Sequence, residues 1–260
     1  MQFDSTSFLK LCVGFIALSL MASAGYILND INDIQDDRSH PQKRYRPLAS
    51  GNSSLQQVLV LLAVTVMAGI SMGIYLGTHV LIALLVYTLL SILYSFYFKK
   101  MRFVDILTLS SFYMFRLFFG AIISGTLLTG WFVSTLTFAV FSLAFSKRYF
   151  ELMITDRDSL SGRAYTKNDI PVVRTLMLSF VIGAILLLNV HAYFVLLIHS
   201  PYFFFFVNLF ALSMVLFYFD ETKNKADDPV ERVLTSVPLL ISALLFSALY
   251  FFEMIYHQHV

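Results

Sequence analysis

Long apolar stretches alternate with short polar connections along this 260-residue chain. Roughly 20 apolar residues in a helix span a hydrocarbon core about 30 Å thick. Eight stretches come near that length: residues 8–28, 55–76, 79–98, 103–125, 131–148, 174–198, 200–219 and 233–256. An open sheet would leave its backbone groups unsatisfied in lipid, so each stretch is predicted to be a helix. The fold class that follows is all-α, a polytopic membrane bundle of about eight transmembrane helices. No fixed-period repeat or low-complexity linker divides the chain, which reads as a single integral membrane domain over residues 1–260.

Composition agrees, since 58% hydrophobic and 13% charged residues exclude an ordinary soluble domain. The net charge of +2 says little; where the charges fall says more. Every Lys and Arg except Lys10 and Arg116 lies in one of four connections, residues 29–54, 99–102, 147–174 and 220–232. The turns around Gly77–His79, Thr126–Gly130 and His199–Pro201 carry no charged residue. The positive-inside rule then puts the four charged connections in the cytoplasm and both termini on the opposite side. Apart from Asp4 and Glu253, the carboxylates follow the cations. A lone cysteine, Cys12, excludes an intrachain disulfide and a cysteine-based metal cluster. Residues 11–21 followed by Ala22-Ser23-Ala24 have the shape of a signal-peptide core and cleavage site. The segment before them is poorly basic, and cleavage would strip the support from the polar block that follows. A retained first helix is the expectation.

That block, NDINDIQDDRSHPQKRYRPLASG over Asn29–Gly51, concentrates the chemistry. Asp30, Asp33 and Asp37 stand at i, i+3 and i+7, one stripe of a helix, with Asn32 and Asp36 off it. Arg38, Lys43, Arg44 and Arg46 follow at once. Dense carboxylates beside cations suit a diphosphate bridged to protein by Mg²⁺. In this reading Asp30, Asp33 and Asp37 hold the metal, next to Asn29. Lys43, Arg44 and Arg46 bind phosphate oxygens through charge-assisted hydrogen bonds. The plain alternative is a solvated boundary loop, and topology anchoring accounts for some of these cations.

Arg116 stands apart, about 13 residues into its stretch and so roughly 20 Å along a helix axis. An intramembrane cation faces a polar cavity or a partner. Binding of an acceptor phosphate is the functional reading, against a pair with a carboxylate or carbonyl. Asp105 reads as an ordinary boundary residue. Lys147 and Glu151 have the spacing of a helix-surface ion pair. His40, His191, His199, His257 and His259 show no metal-ligand pattern.

The run Asn29-Asp30-x-x-Asp33-x-x-x-Asp37 resembles the first acidic motif, NDxxDxxxD, of the UbiA-type prenyltransferase superfamily. Its continuation, His40-Pro41-x-Lys43-Arg44-x-Arg46-Pro47, is similar to the branch of decaprenyl-phosphate phosphoribosyltransferases. So are Asp105-Ile106-Leu107-Thr108 with Phe115-Arg116 and Gly120-Ala121, and Lys147-Arg148 with Glu151-Leu152. A weaker likeness reaches Asp228-Pro229-x-Glu231. Asp156 and Asp158 do not form the second DxxxD motif of aromatic prenyltransferases. The resemblance implies Mg²⁺-dependent transfer of 5-phosphoribose from phosphoribosyl diphosphate to a polyprenyl phosphate, releasing diphosphate. It implies a site of Asn29, Asp30, Asp33, Asp37, Lys43, Arg46, Arg116, Lys147, Arg148 and Glu151. The expected setting is a bacterial inner membrane with the site facing the cytoplasm and no nucleic acid among its partners. The family's usual additional first helix has no counterpart here. One rival is transfer of a prenyl group from a prenyl diphosphate to an aromatic or other small acceptor. Another, of a different class, is a non-catalytic lipid-binding or transport protein.

Overall fold

The computed structural model describes residues 5–39, 43–155, 157–160 and 162–219, with isolated positions beyond 239. Eight α-helices follow one another among the described residues: α1 Ser5–Asn32, α2 Ile34–Ser39, α3 Leu55–Leu76, α4 Thr78–Phe96, α5 Val104–Ser124, α6 Gly130–Ile154, α7 Ile170–Phe194 and α8 Pro201–Phe219. Seven of the eight apolar stretches are therefore helical close to their predicted bounds; the eighth, 233–256, lies outside the described residues except for those isolated positions. So do His40, Pro41, Asp156 and the 220–232 connection. Six helices among the described residues are long and apolar enough to cross a membrane.

Those helices bury little of themselves. Only 17% of the apolar window in α3 is covered by protein, and Phe15, Met67 and Tyr75 are each at least two-thirds exposed. Surfaces this apolar are compatible with lipid rather than water.

The chain packs as two compact units, one from residues 1–128 with 160–164, the other from 129–159 with 165–260. In the first unit α1 runs against α3, α4 and α5. Its core joins Ala17, Leu18 and Met21 of α1 to Val80, Ala83, Leu84 and Tyr87 of α4 and Phe119 of α5. Lipid tails are as apolar as leucine, so close packing rather than transfer from water holds such helices together. Glycine permits that packing: a Cβ on Gly25 would stand 3.1 Å from Ser91 Cβ. This close approach of α1 and α4 fixes the register one and two turns further on. The second unit is built on aromatic packing, with Phe180 of α7 against Phe138, Phe141 and Phe145 of α6.

Candidate active site

The acidic stripe survives a break in the helix. Asp33 is a turn between α1 and α2, yet Asp33 N–H donates to Asn29 O at 2.9 Å and Asp37 N–H to Asp33 O at 2.8 Å. The helical spacing therefore carries through, and Asp30, Asp33 and Asp37 keep their common face.

Two cations meet that face. Arg46 Nη1 lies 2.7 Å from Asp30 Oδ1 and 2.8 Å from Asp37 Oδ2, so one nitrogen ties the ends of the stripe together. Asp37 is 4% exposed. The middle carboxylate, Asp33, pairs with Lys99, which also donates to Asn29 Oδ1 at 3.0 Å. Lys99 is 3% exposed. It sits in the 3₁₀ turn Phe98–Lys100 that closes α4. Asn32 Nδ2 donates to Ser95 O at 2.9 Å and pins α1 to α4 just beside it. The Gly25–Ser91 approach thus repeats as Asn32–Ser95 and Asp33–Lys99.

A solvent-open pocket lies here, lined by Asp33, Asp36, Asp37, Lys43, Lys99, Gly162 and Arg163. Its walls alternate three carboxylates with three cations, all within the first unit. Among the described residues no three acidic, histidine or cysteine side chains converge as a ready-made metal cage. The oxygen-only donor set nonetheless fits Mg²⁺, which commonly takes one or two carboxylates and completes its shell with water and substrate phosphate.

Lys43 lines this cavity. Arg44 instead turns to Tyr45, donating to its hydroxyl at 2.7 Å and stacking over its ring. Asp105 corrects the boundary-residue reading: it is fully buried, accepting from Tyr94 Oη at 2.9 Å and from Arg163 Nη1 at 2.9 Å. Arg116 lies 5.3 Å from the Tyr113 ring centroid and close to the hydroxyl of the buried Tyr87. Lys147, Arg148 and Glu151 belong to the second unit, where the fully buried Arg148 pairs with Glu151 three residues on along α6.

Asp36, Lys99, Gly162 and Arg163 are the pocket residues that sequence reasoning leaves out of the site. A lysine just after an apolar helix looks like a topology anchor, and its acceptor Asp33 is 66 residues away in sequence.

Comparison with known proteins identifies the family and the fold. The profile of the UbiA prenyltransferase family matches residues 2–237. The chain is 33% identical over 180 residues to a decaprenyl-phosphate phosphoribosyltransferase of Mycobacterium tuberculosis, covering 66% of this chain and 59% of that one. It is 31% identical over 172 residues to the uncharacterized protein y4nM of Sinorhizobium fredii, covering 65% and 33% of the two chains. The chain thus spans between a third and three fifths of the length of these relatives. A UbiA homolog from Archaeoglobus fulgidus, solved bound to DMAPP and Mg²⁺, superposes with a TM-score of 0.69 at 14% identity, over 98% of this chain and 90% of that one. At that identity the likeness concerns the fold.

Proposed function

The chain belongs to the UbiA prenyltransferase family and is an integral membrane protein, and from the charges in its pocket we propose a Mg²⁺-dependent polyprenyl-phosphate phosphoribosyltransferase. The observation that carries this reading is the mixed wall of Asp33, Asp36 and Asp37 with Lys43, Lys99 and Arg163. A prenyl diphosphate is anionic at one end and needs an apolar lining for the rest. Phosphoribosyl diphosphate is anionic at both ends and polar between them. A pocket lined by both carboxylates and cations suits the second donor. The relative of M. tuberculosis carries the matching name.

The reaction forms a bond from a lipid phosphate oxygen to the anomeric carbon and breaks the bond from that carbon to diphosphate. The nucleophile is already ionised, so no strong general base is required. Asp30, Asp33 and Asp37 would hold Mg²⁺, which when bound offsets the charge gathering on the leaving diphosphate. Lys99 and Arg46 hold the carboxylates in place, and Lys43 adds a donor for phosphate oxygens. Arg116 binds the acceptor phosphate from within the membrane. The polyprenyl tail lies against the apolar faces of the helices, and the pocket opens to the cytoplasm. Positioning and leaving-group neutralisation supply most of the rate.

Donor competition tests the choice. The purified protein with Mg²⁺ is expected to bind phosphoribosyl diphosphate at least about tenfold more tightly than geranyl diphosphate, a gap of about 1.4 kcal/mol. The reverse order would move the reading to prenyl transfer.

A further inference from the structure

The wall of the pocket formed by Gly162 and Arg163 comes from the long connection between α6 and α7, not from the helix ends that carry the acidic stripe. Three contacts tie this short segment down. Arg163 Nη1 donates to Asp105 Oδ1 at 2.9 Å and to Tyr94 Oη at 3.0 Å, while Arg102 Nε reaches Ala164 O at 3.5 Å. Tyr94 closes a triangle by donating to the same Asp105 oxygen. Asp105 is completely buried in the first turn of α5, and the Arg163 side chain is 19% exposed. Nothing in the reaction as described uses this carboxylate.

Local backbone geometry adds two facts. Phe103, two residues before Asp105, has φ +63°, a strained value for a bulky side chain. The strained turn starts α5 so that Asp105 enters the buried triangle. Gly162 has φ +69°, and a Cβ there would meet Asp36 Oδ2 at 3.5 Å. The segment therefore runs beside Asp36 on the acidic side of the pocket while Arg163 brings in a cation.

We propose that Asp105 is a positioning residue: it holds Arg163 so that the 162–164 segment recognises the phosphate of the donor that lies beyond the ribose. This rests on the phosphoribosyl-donor reading above. Lys99 and Arg46 already meet the stripe that takes the diphosphate, whereas Arg163 enters from a different element beside Asp36. A planar guanidinium fixed by a buried carboxylate is a preorganised phosphate binder. Inorganic diphosphate lacks the 5-phosphate of the ribose and does not use Arg163.

The test is titration of the detergent-solubilised full chain with Mg²⁺ and either inorganic diphosphate or phosphoribosyl diphosphate. Asp105→Asn and Arg163→Lys are both expected to weaken phosphoribosyl diphosphate about tenfold or more, the loss of one charge-assisted bond. Affinity for inorganic diphosphate should stay within about threefold of the unsubstituted chain. In turnover, KM for the donor rises far more than kcat falls. Equal losses for the two ligands, or no loss for either, overturn the proposal. Arg163→Lys covers the case in which Asp105→Asn fails to fold. Trypsin reads the positioning independently of the donor: cleavage after Arg163 should be faster in Asp105→Asn, and an unchanged rate would contradict it. Should the unsubstituted chain bind phosphoribosyl diphosphate no better than geranyl diphosphate, the donor reading fails, and trypsin still decides whether Asp105 anchors the segment.

Discussion

Lys99 Nζ donates to Asn29 Oδ1 at 3.0 Å across 70 residues of chain, and the same ammonium pairs with Asp33. A nearly buried lysine thus braces the first and third polar positions of the acidic motif. Removing it leaves a partly buried carboxylate and amide without their donor. Lys99→Met is expected to lower transfer about 30- to 150-fold, on the basis of roughly 2–3 kcal/mol for a hydrogen bond to a charged group. Lys99→Arg should restore part of the loss, as read by initial rates at saturating lipid.

Arg46 uses a single nitrogen for Asp30 and Asp37, with the arginine 36% exposed. Solvent screens such a pair, so Arg46→Lys should shift Tm in detergent by no more than about 4 °C. A lysine ammonium is a compact, strongly hydrated charge without the fixed planar geometry of the guanidinium, so it should hold the two carboxylates less rigidly and activity should fall about tenfold, equivalent to about 1.4 kcal/mol. A large stability loss with unchanged rate would reverse that assignment.

The close approach at Gly25 sets the register that brings Asn32 to Ser95 and Asp33 to Lys99. Gly25→Ala needs a shift of only tenths of an ångström and should keep binding. Gly25→Leu forces α1 off α4 and should cost diphosphate affinity along with thermal stability, by overpacking worth about 1–3 kcal/mol. Titration with Mg²⁺ and inorganic diphosphate checks both.

Much of this arrangement is legible in the sequence because membrane length and helix period are local signals. The i, i+3, i+7 spacing of Asp30, Asp33 and Asp37 holds even across the turn at Asp33. Lys99, Asp105 and Arg163 are hidden for the opposite reason. Each is defined by a partner 58 to 70 residues away, and a charged residue at a helix end looks alike whether it meets water or a buried ion pair. The spacing of Lys147 and Glu151 leaves Arg148 out, yet Glu151 meets Arg148, because separations of three and four residues share a helix face.

Arg116 lies beside Tyr87 and Tyr113 well inside α5. If it binds the acceptor, Arg116→Ala raises KM for polyprenyl phosphate about tenfold or more, as expected for a lost charge-assisted bond. Affinity for phosphoribosyl diphosphate should not change. Equal loss for donor and acceptor would point to a structural role.

The most direct measurement incubates the purified chain, in lipid nanodiscs with Mg²⁺, with labelled phosphoribosyl diphosphate and polyprenyl phosphate. The account predicts label appearing in the lipid phase in step with released diphosphate, lost on chelation of the metal and in Asp33→Asn. A chain that binds both substrates yet leaves all label in water, or that instead prenylates a small acceptor from geranyl diphosphate, would contradict it.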